Sequence, residues 1–304
     1  MPTPRPLRIG TRGSKLARWQ AEWVAARLQE LEQQVELVEV KTVGDRDQHG
    51  AIEAIGTLGV FTKEIQRALL DNDVDIAVHS LKDLPTEPVE GIVLAATPPR
   101  ESVYDALVSN DFASVDELPT NARVGTGSLR RQAQMRFLRP DLELRDIRGN
   151  VDTRIAKLDA GQFEAIVLAE AGLRRLGLAD RIRERLTPDR MLPAVGQGAL
   201  GIECRTDDRA VLATLARIND ADTFAAVTAE RALLAGLQGG CLAAIGAWGR
   251  IEASQLVLSA VVLSPDGRER LFYEDRATTS DAVDLGVRVA DVLRDQGAAN
   301  LLRR

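Results

Sequence analysis

The run Asp75-Ile76-Ala77-Val78-His79-Ser80, with Leu81-Lys82-Asp83 directly behind it, decides the fold class. An unbroken apolar stretch this short, closed by polar residues, belongs to a parallel strand buried on both faces; a half-solvated strand would alternate. Upstream, Leu7 to Thr11 reads as a strand, after which Leu16, Trp19, Trp23, Val24, Leu28 and Leu31 recur at helical spacing. A strand near Val35 to Thr42 follows. Four glycines between Gly44 and Gly59, without firm periodicity, read as a mobile loop, and a helix from Thr62 to Leu70 leads back to the quoted run. Downstream, Pro98-Pro99-Arg100 stiffens the chain like a hinge. Strands near Asp105 to Ser109, Arg123 to Gly125, Leu142 to Ile147 and Ala165 to Ala169 then alternate with helices at Leu129 to Leu138 and Asp152 to Ala160, the second stopped by Gly161. This alternation predicts two doubly wound α/β domains, with ligands gathered outside the carboxyl ends of the strands.

The glycine-punctuated stretch Pro193 to Gly201 reads as a second crossing that returns the chain to the first domain, so two strands form the hinge. From about Asp220 a helix (Phe224 to Leu234) enters the loop Gln238-Gly239-Gly240-Cys241. Three strand-like runs (Ile245 to Arg250, Leu256 to Leu263, Arg270 to Glu274) and a final helix make a small α+β third domain. The expected partition is 1–98 with 198–217, then 99–197, then 218–304. The 304 residues suffice for domains of this size.

The net charge of -6 and the 4% aromatic content argue against a nucleic-acid surface, which needs basic excess and stacking platforms. Positive charge is instead concentrated: Arg123 to Arg154 holds eight arginines against four acids, a local net of +4. Only five of the 39 basic residues are lysine, so any recognition of acids relies on guanidinium forks. No uncharged apolar run approaches the roughly 18 residues of a membrane span, and the opening Met1-Pro2-Thr3-Pro4-Arg5-Pro6 lacks the apolar core of a secretory signal. The expectation is a cytoplasmic protein with no membrane partner. Two cysteines, Cys204 and Cys241, support neither a disulfide framework nor a cysteine metal site.

Three turns share one design. Thr11-Arg12-Gly13-Ser14-Lys15, Gly125-Thr126-Gly127-Ser128-Leu129-Arg130-Arg131 and Arg148-Gly149-Asn150-Val151-Asp152-Thr153-Arg154 each place hydroxyl, backbone and guanidinium donors where a strand becomes a helix. The first turn suits an anion at the helix N-terminus, or equally a plain N-cap by Ser14 with an exposed arginine. Arg130 and Arg131 in a first helical turn oppose the helix dipole, which favours an anion beside them. Turns of this kind around one cleft would suit a ligand with several carboxylates or phosphates. Lys82 and Asp83 form either a surface pair or a proton donor with its tuning cation. His79 reads as a packed core histidine, and His49 makes no metal pattern with it. Cys241, behind two glycines, is either inert or a covalent attachment point; Cys204 reads as core.

The order of these segments is more telling than any one of them. Thr11 to Ser14, Asp75 to Pro85, Val124 to Gln132, Arg148 to Arg154, Leu192-Pro193-Ala194-Val195-Gly196-Gln197-Gly198-Ala199 and Gly239-Gly240-Cys241 together resemble the porphobilinogen deaminase family over about residues 7 to 250. The resemblance implies two doubly wound, periplasmic-binding-protein-like domains joined by a two-strand hinge, plus a small α+β third domain. It implies a dipyrromethane cofactor held by a thioether at Cys241, the thiol acting as an anchor. It also implies a transferase: porphobilinogen loses ammonia, and the resulting azafulvene is attacked by the terminal pyrrole. Four rounds precede hydrolytic release of hydroxymethylbilane. By this similarity Asp83 assists ammonia loss and stabilises the cationic pyrrole, with Lys82 close by. Cys241, Ser14, Ser80, Lys82, Asp83, Thr126, Ser128, Arg130, Arg131 and Arg154 would meet the cofactor. Arg12, Ser14, Gln20, Arg148, Arg154, Arg175 and Gln197 would hold the incoming substrate and the growing chain. No metal is implied, porphobilinogen is the small-molecule partner, and a monomer is expected. The chain departs from the family pattern at Leu58, where many bacterial relatives have lysine, at Gly127, where serine is common, and at Leu242-Ala243-Ala244. A non-enzymatic anion receptor is the competing reading, since hinged α/β domains with anion-binding helix ends also suit solute capture.

Overall fold

The computed structural model describes residues 5–40, 62–238 and 243–302. Strand β1 (Leu7–Thr11) turns into helix α1 (Lys15–Gln29), and β2 (Val35–Glu39) pairs parallel with β1 from Leu7↔Val35 to Thr11↔Glu39. Helix α2 (Lys63–Leu70) leads to β3 (Ile76–Ser80), which is parallel to β1. The two faces of β3 explain its unbroken apolarity. Ile76 and Val78 join Ala21, Val24 and Leu28 of α1 in one core, while Ala77 joins Ile65 and Leu69 of α2 in another. Strands β4 (Ile92–Ala96) and, much later, β10 (Leu200–Arg205) complete a sheet of order β2-β1-β3-β10-β4, in which β10 is antiparallel to both neighbours.

The chain divides into two compact units, Met1–Arg100 with Ala199–Phe224, and Glu101–Gly198 with Ala225–Arg304. In the second, β5 (Asp105–Val108), β6 (Arg123–Gly125), helix α3 (Leu129–Leu138), β7 (Glu143–Arg145), α4 (Val151–Asp159), β8 (Ala165–Ala169), α5 (Glu170–Arg175) and β9 (Ile182–Leu186) build a sheet of order β7-β6-β8-β5-β9. Strand β6 is parallel to β7 and β8, and β5 is antiparallel to β8 and β9. Both sheets are thus mixed. Their first three strands keep the β-α-β winding, and the fourth enters from the opposite end. Gly161 has φ +70, as a left-handed stop after α4 requires.

The third sheet is an antiparallel meander, β11 (Ile245–Glu252), β12 (Gln255–Leu263) and β13 (Arg270–Ala277). Helices α7 (Ala221–Gly236), α8 (Ala282–Asp295) and α9 (Ala298–Leu302) follow the short α6 (Arg209–Ala216) in sequence. One face of β12 is covered: Leu258 and Ala260 pack with Ala229, Leu233, Leu285 and Val289. Its other face, Val261 and Leu263, meets Ala133 of α3 and Leu192, so β12 is buried on both sides. Glu230, itself fully buried, accepts from the Gly196 N–H at 2.6 Å and the Gly249 N–H at 2.8 Å, tying α7 to the segment before β10 and to β11. That segment runs against Glu101: Gly198 has φ +85, and a Cβ there would lie 2.4 Å from the Glu101 carbonyl oxygen, so only glycine fits. Cys204 on β10 is buried, and burial pushes its thiol up to about 11.

Beta-strand β3 is anchored at its start by Asp75. Its buried carboxylate receives Arg5 at 2.9 Å, Arg8 at 3.0 Å and Arg205 at 3.1 Å. Burial works to raise its pKa, but hydrogen bonds from Arg8 and Arg205 prevail and hold it at about 2. The folded value lies below that of an unfolded aspartate, so this stabilisation is complete above about pH 4 and is lost as pH falls toward 2. Asp75→Asn is expected to cost about 3 kcal/mol at neutral pH. Urea denaturation across a pH series should show the difference between native and variant chains shrinking from pH 4 to pH 2.

Candidate functional site

The carboxyl ends of β1 and β3 lie side by side, because the strands pair in parallel through Ile9↔Ile76 and Gly10↔Ala77. At the end of β1, Ser14 caps α1 by accepting from the Ala17 N–H at 3.3 Å. Arg12 is half-buried in the same turn. A Cβ on Gly13 would come within 2.8 Å of Glu39 Oε1, so a carboxylate of this chain packs against that turn. At the end of β3, the buried Gln20 of α1 donates from Nε2 to Ser80 Oγ at 2.7 Å. One turn of 3-10 helix, Leu81–Asp83, then carries Lys82 and Asp83. Leu81 and Leu84 are both buried, the Leu84 N–H bonds the Leu81 carbonyl, and the Leu81 N–H bonds the Ala199 carbonyl. Two packed leucines and two backbone bonds therefore fix a turn that presents Asp83 to solvent and leaves Lys82 half-buried.

His79 is buried, but its surroundings on the α2 face are polar. Its Nε2 lies 3.0 Å from Glu203 Oε2, and Gln66 Nε2 donates to both Glu203 oxygens at 3.1 and 3.2 Å.

In the second unit the strand ends again converge. Parallel pairing of β6 with β7 and β8 points the carboxyl ends of all three strands, followed by Thr126, Asp146 and Glu170, toward one end of the sheet, and antiparallel β5 starts there, with Asp105 opposite Ala169. Thr126 is fully buried, its hydroxyl accepts from the Ser128 N–H at 3.3 Å, and Ser128 caps α3. Arg130 and Arg131 turn inward: they are 3% and 6% exposed, and the carboxylate between them, Asp105, is 0% exposed. Arg130 Nη1 reaches Asp105 Oδ2 at 2.8 Å, and Arg131 Nη2 and Nε reach Oδ1 at 2.7 and 2.9 Å. Buried Gln197 donates from Nε2 to the same oxygen at 3.0 Å and to the Val103 carbonyl at 2.8 Å. Burial opposes ionisation of Asp105, yet Arg130 and Arg131 outweigh it and hold the carboxyl below the usual range. Arg175 at the end of α5 donates to the Gly198 carbonyl at 2.7 Å, and burial lowers its pKa to about 10.

Arg148 and Arg154 lie on the neighbouring turn. Arg148 Nε pairs with Asp146 Oδ2 at 2.8 Å with both groups half-exposed, and Arg154 Nε donates to the Gly149 carbonyl at 2.7 Å. Gly127 touches that turn: a Cβ there would lie 2.8 Å from Asp146 Oδ1 and 3.2 Å from the Ile147 carbonyl oxygen. A serine at this position must displace the Asp146 carboxylate. The structure thus gathers Thr126, Ser128, Arg130, Arg131, Arg148, Arg154, Arg175 and Gln197 at one end of one sheet, and Arg12, Ser14, Gln20, Ser80, Lys82 and Asp83 at one end of the other. Cys241, Leu58, Leu242 and the glycine loop from 44 to 59 lie outside the described residues. The residue that sequence reasoning missed is Asp105. Its signal was an acid at the head of the apolar run Ala106-Leu107-Val108, where a charge demands a partner.

Among the described residues, no cluster of three or more His, Cys, Asp or Glu could hold a metal ion, and no helix is long and apolar enough to cross a membrane. Residues 7–213 match the family model described as porphobilinogen deaminase, dipyromethane cofactor binding domain, and residues 224–295 match the model described as its C-terminal domain. The chain is 48% identical to a porphobilinogen deaminase of Trichlorobacter lovleyi over 301 residues, 98% of this chain and 96% of that one. Among solved structures it is similar to the methionine-binding protein MetQ, at 15% identity and TM-score 0.45 over 70% of this chain and 89% of that one. It is likewise similar to a nutrient-binding protein of Burkholderia cenocepacia bound to methionine, at 13% identity and TM-score 0.44 over 69% and 90% of the two chains.

The Gln20–Ser80 bond carries its own expectation. Ser80→Ala leaves a buried amide N–H without its acceptor and should cost about 1–2 kcal/mol in urea unfolding. The double variant Gln20→Leu with Ser80→Ala should cost less than the two single changes added together.

Proposed function

The chain belongs to the porphobilinogen deaminase family, and from that premise we propose which of its residues carry the reaction. The activity is that of a transferase that deaminates four porphobilinogen molecules, joins them head to tail on a dipyrromethane primer and releases hydroxymethylbilane by hydrolysis. The observation that carries the residue assignment is the guanidinium-rich end of the second unit's sheet, where Arg130 and Arg131 are buried with a single carboxylate between them. Every unit in such a reaction bears an acetate and a propionate, so a site for it needs forked cations and hydroxyl donors. Thr126, Ser128, Arg130, Arg131 and Arg154 supply both, and Arg130 Nε is a buried donor with no hydrogen-bond acceptor among the described residues. The donor set therefore fits an acidic dipyrrole.

In this reading the same cofactor is also met by Ser14, Ser80, Lys82 and Asp83, and is joined by a thioether to Cys241. When bound, it supplies a nucleophilic pyrrole carbon and a covalent anchor for the lengthening product. The chain's own residues do the rest. Asp83, at the tip of a turn held by Leu81 and Leu84, places a carboxylate against the aminomethyl cation of porphobilinogen. It then offsets the positive charge that spreads into the ring as ammonia leaves. Lys82 adds a cation beside it for the substrate's acid groups. Arg12, Ser14, Arg148, Arg154 and Arg175 register the acetates and propionates of incoming and added units, leaving the reacting carbon free. Gln20 takes part through Ser80, whose hydroxyl it orients, and Gln197 through Asp105. The reading keeps the partition 1–98 with 198–217, 99–197 and 218–304, and a monomer in the cytoplasm.

Asp83→Asn is expected to lower porphobilinogen consumption by roughly 100-fold or more while intact mass still shows two linked pyrroles on the chain. Cys241→Ser should lack that adduct. Normal turnover by the Asp83 variant, or an adduct that persists without the cysteine, would overturn the respective assignment.

A further inference from the structure

Inside the second unit, the first turn of α3 buries two cations against one anion. Arg130, Arg131 and Asp105 are all at most 6% exposed, so the cluster carries about one excess positive charge where water cannot screen it. The excess is not distributed evenly. Each nitrogen of Arg131 has an acceptor: Nε and Nη2 are on Asp105 and Nη1 is on the Val167 carbonyl at 3.0 Å. Arg130 spends Nη1 on Asp105 and on the Leu192 carbonyl at 2.6 Å, and keeps a buried Nε that finds no acceptor among the described residues. The cluster is held from three directions. Asp105 heads a strand buried between β8 and β9, Gln197 braces the oxygen shared with Arg131, and Gln134 exchanges two hydrogen bonds with Leu192 at 2.9 and 2.8 Å.

Resting on the cofactor assignment above, we propose that Asp105 is a positioning residue for cofactor capture. Its carboxylate fixes the two guanidinium groups in orientation while leaving their charge one anion short, so that one carboxylate of the dipyrromethane becomes the second counter-ion. A second internal acid would satisfy the arginines and abolish the site. With no internal acid, the two cations would repel each other and lose their angle. One shared carboxylate is the arrangement that does neither.

The test uses cofactor-free full-length chain produced in cells that cannot make porphobilinogen, then exposed to graded porphobilinogen. Intact mass reads the fraction of chains that gain two pyrroles, and circular dichroism with a cooperative thermal melt reads the fold. Asp105→Asn keeps the shape but removes the charge; it should remain folded and need about tenfold or more porphobilinogen for half-loading. Asp105→Glu, which restores the charge one methylene away, should recover part of the loading and stay below the native chain. Loading of Asp105→Asn at the native concentration overturns the proposal. Should that variant fail to fold, Asp105→Glu decides: native loading by it shows that position is immaterial and overturns the proposal equally. Native chain that gains no pyrroles, or Arg130→Gln and Arg131→Gln variants that load normally, would instead overturn the cofactor assignment underneath.

Discussion

Arginine outnumbers the buried acids that hold it, and the chain solves this by letting one carboxylate serve several guanidinium groups. Asp75 receives Arg5, Arg8 and Arg205; Asp105 receives Arg130 and Arg131; Glu170 receives Arg174 and Arg185. Each shared acid sits where a strand begins or ends, so the sheets cannot be assembled without placing these charges. A shared carboxylate fixes the direction of a guanidinium while leaving part of its field uncancelled, which is what recognition of an acidic ligand requires. Asp75 and Asp105 both head a strand, but β3 is parallel to β1 while β5 is antiparallel to β8, so the same device stands at opposite ends of the two sheets.

The two five-stranded sheets apply one topological rule twice. In each, parallel strands deliver turns to one end, and an antiparallel strand starts from that same end: β10 with Leu200 opposite Ser80, β5 with Asp105 opposite Ala169. The entering strand brings its preceding residues to the turns at that end, which is why the Ala199 carbonyl holds the Leu81 N–H beneath the Lys82–Asp83 turn.

Much of this was legible locally. The apolar run of β3, the caps at Ser14 and Ser128, the stop at Gly161 and the three-stranded final sheet all follow from short-range patterns. The antiparallel insertions were not legible, because strand direction within a sheet is settled by pairing across the whole chain. Strand β4 (Ile92–Ala96), β9 (Ile182–Leu186) and helices α5 and α6 were missed; β9 is an edge strand carrying Arg183, Glu184 and Arg185, and its charges mask its alternation. At the site, the order of motifs named the arginines, but their partner Asp105 is 26 residues from Arg131 and 92 from Gln197. No window short enough to show periodicity contains that cluster. Burial of Gln20 and Gln197 was equally invisible, since each amide is absorbed by a contact distant in sequence.

Cys204 has a practical side. Its sulfur sits within the first unit's core, and burial keeps it protonated well past neutrality, with a pKa of about 11. The chain contains two cysteines in all. A thiol-directed label applied to the native fold near pH 7 is therefore blind to position 204, and whatever it modifies reports on a sulfur elsewhere in the chain.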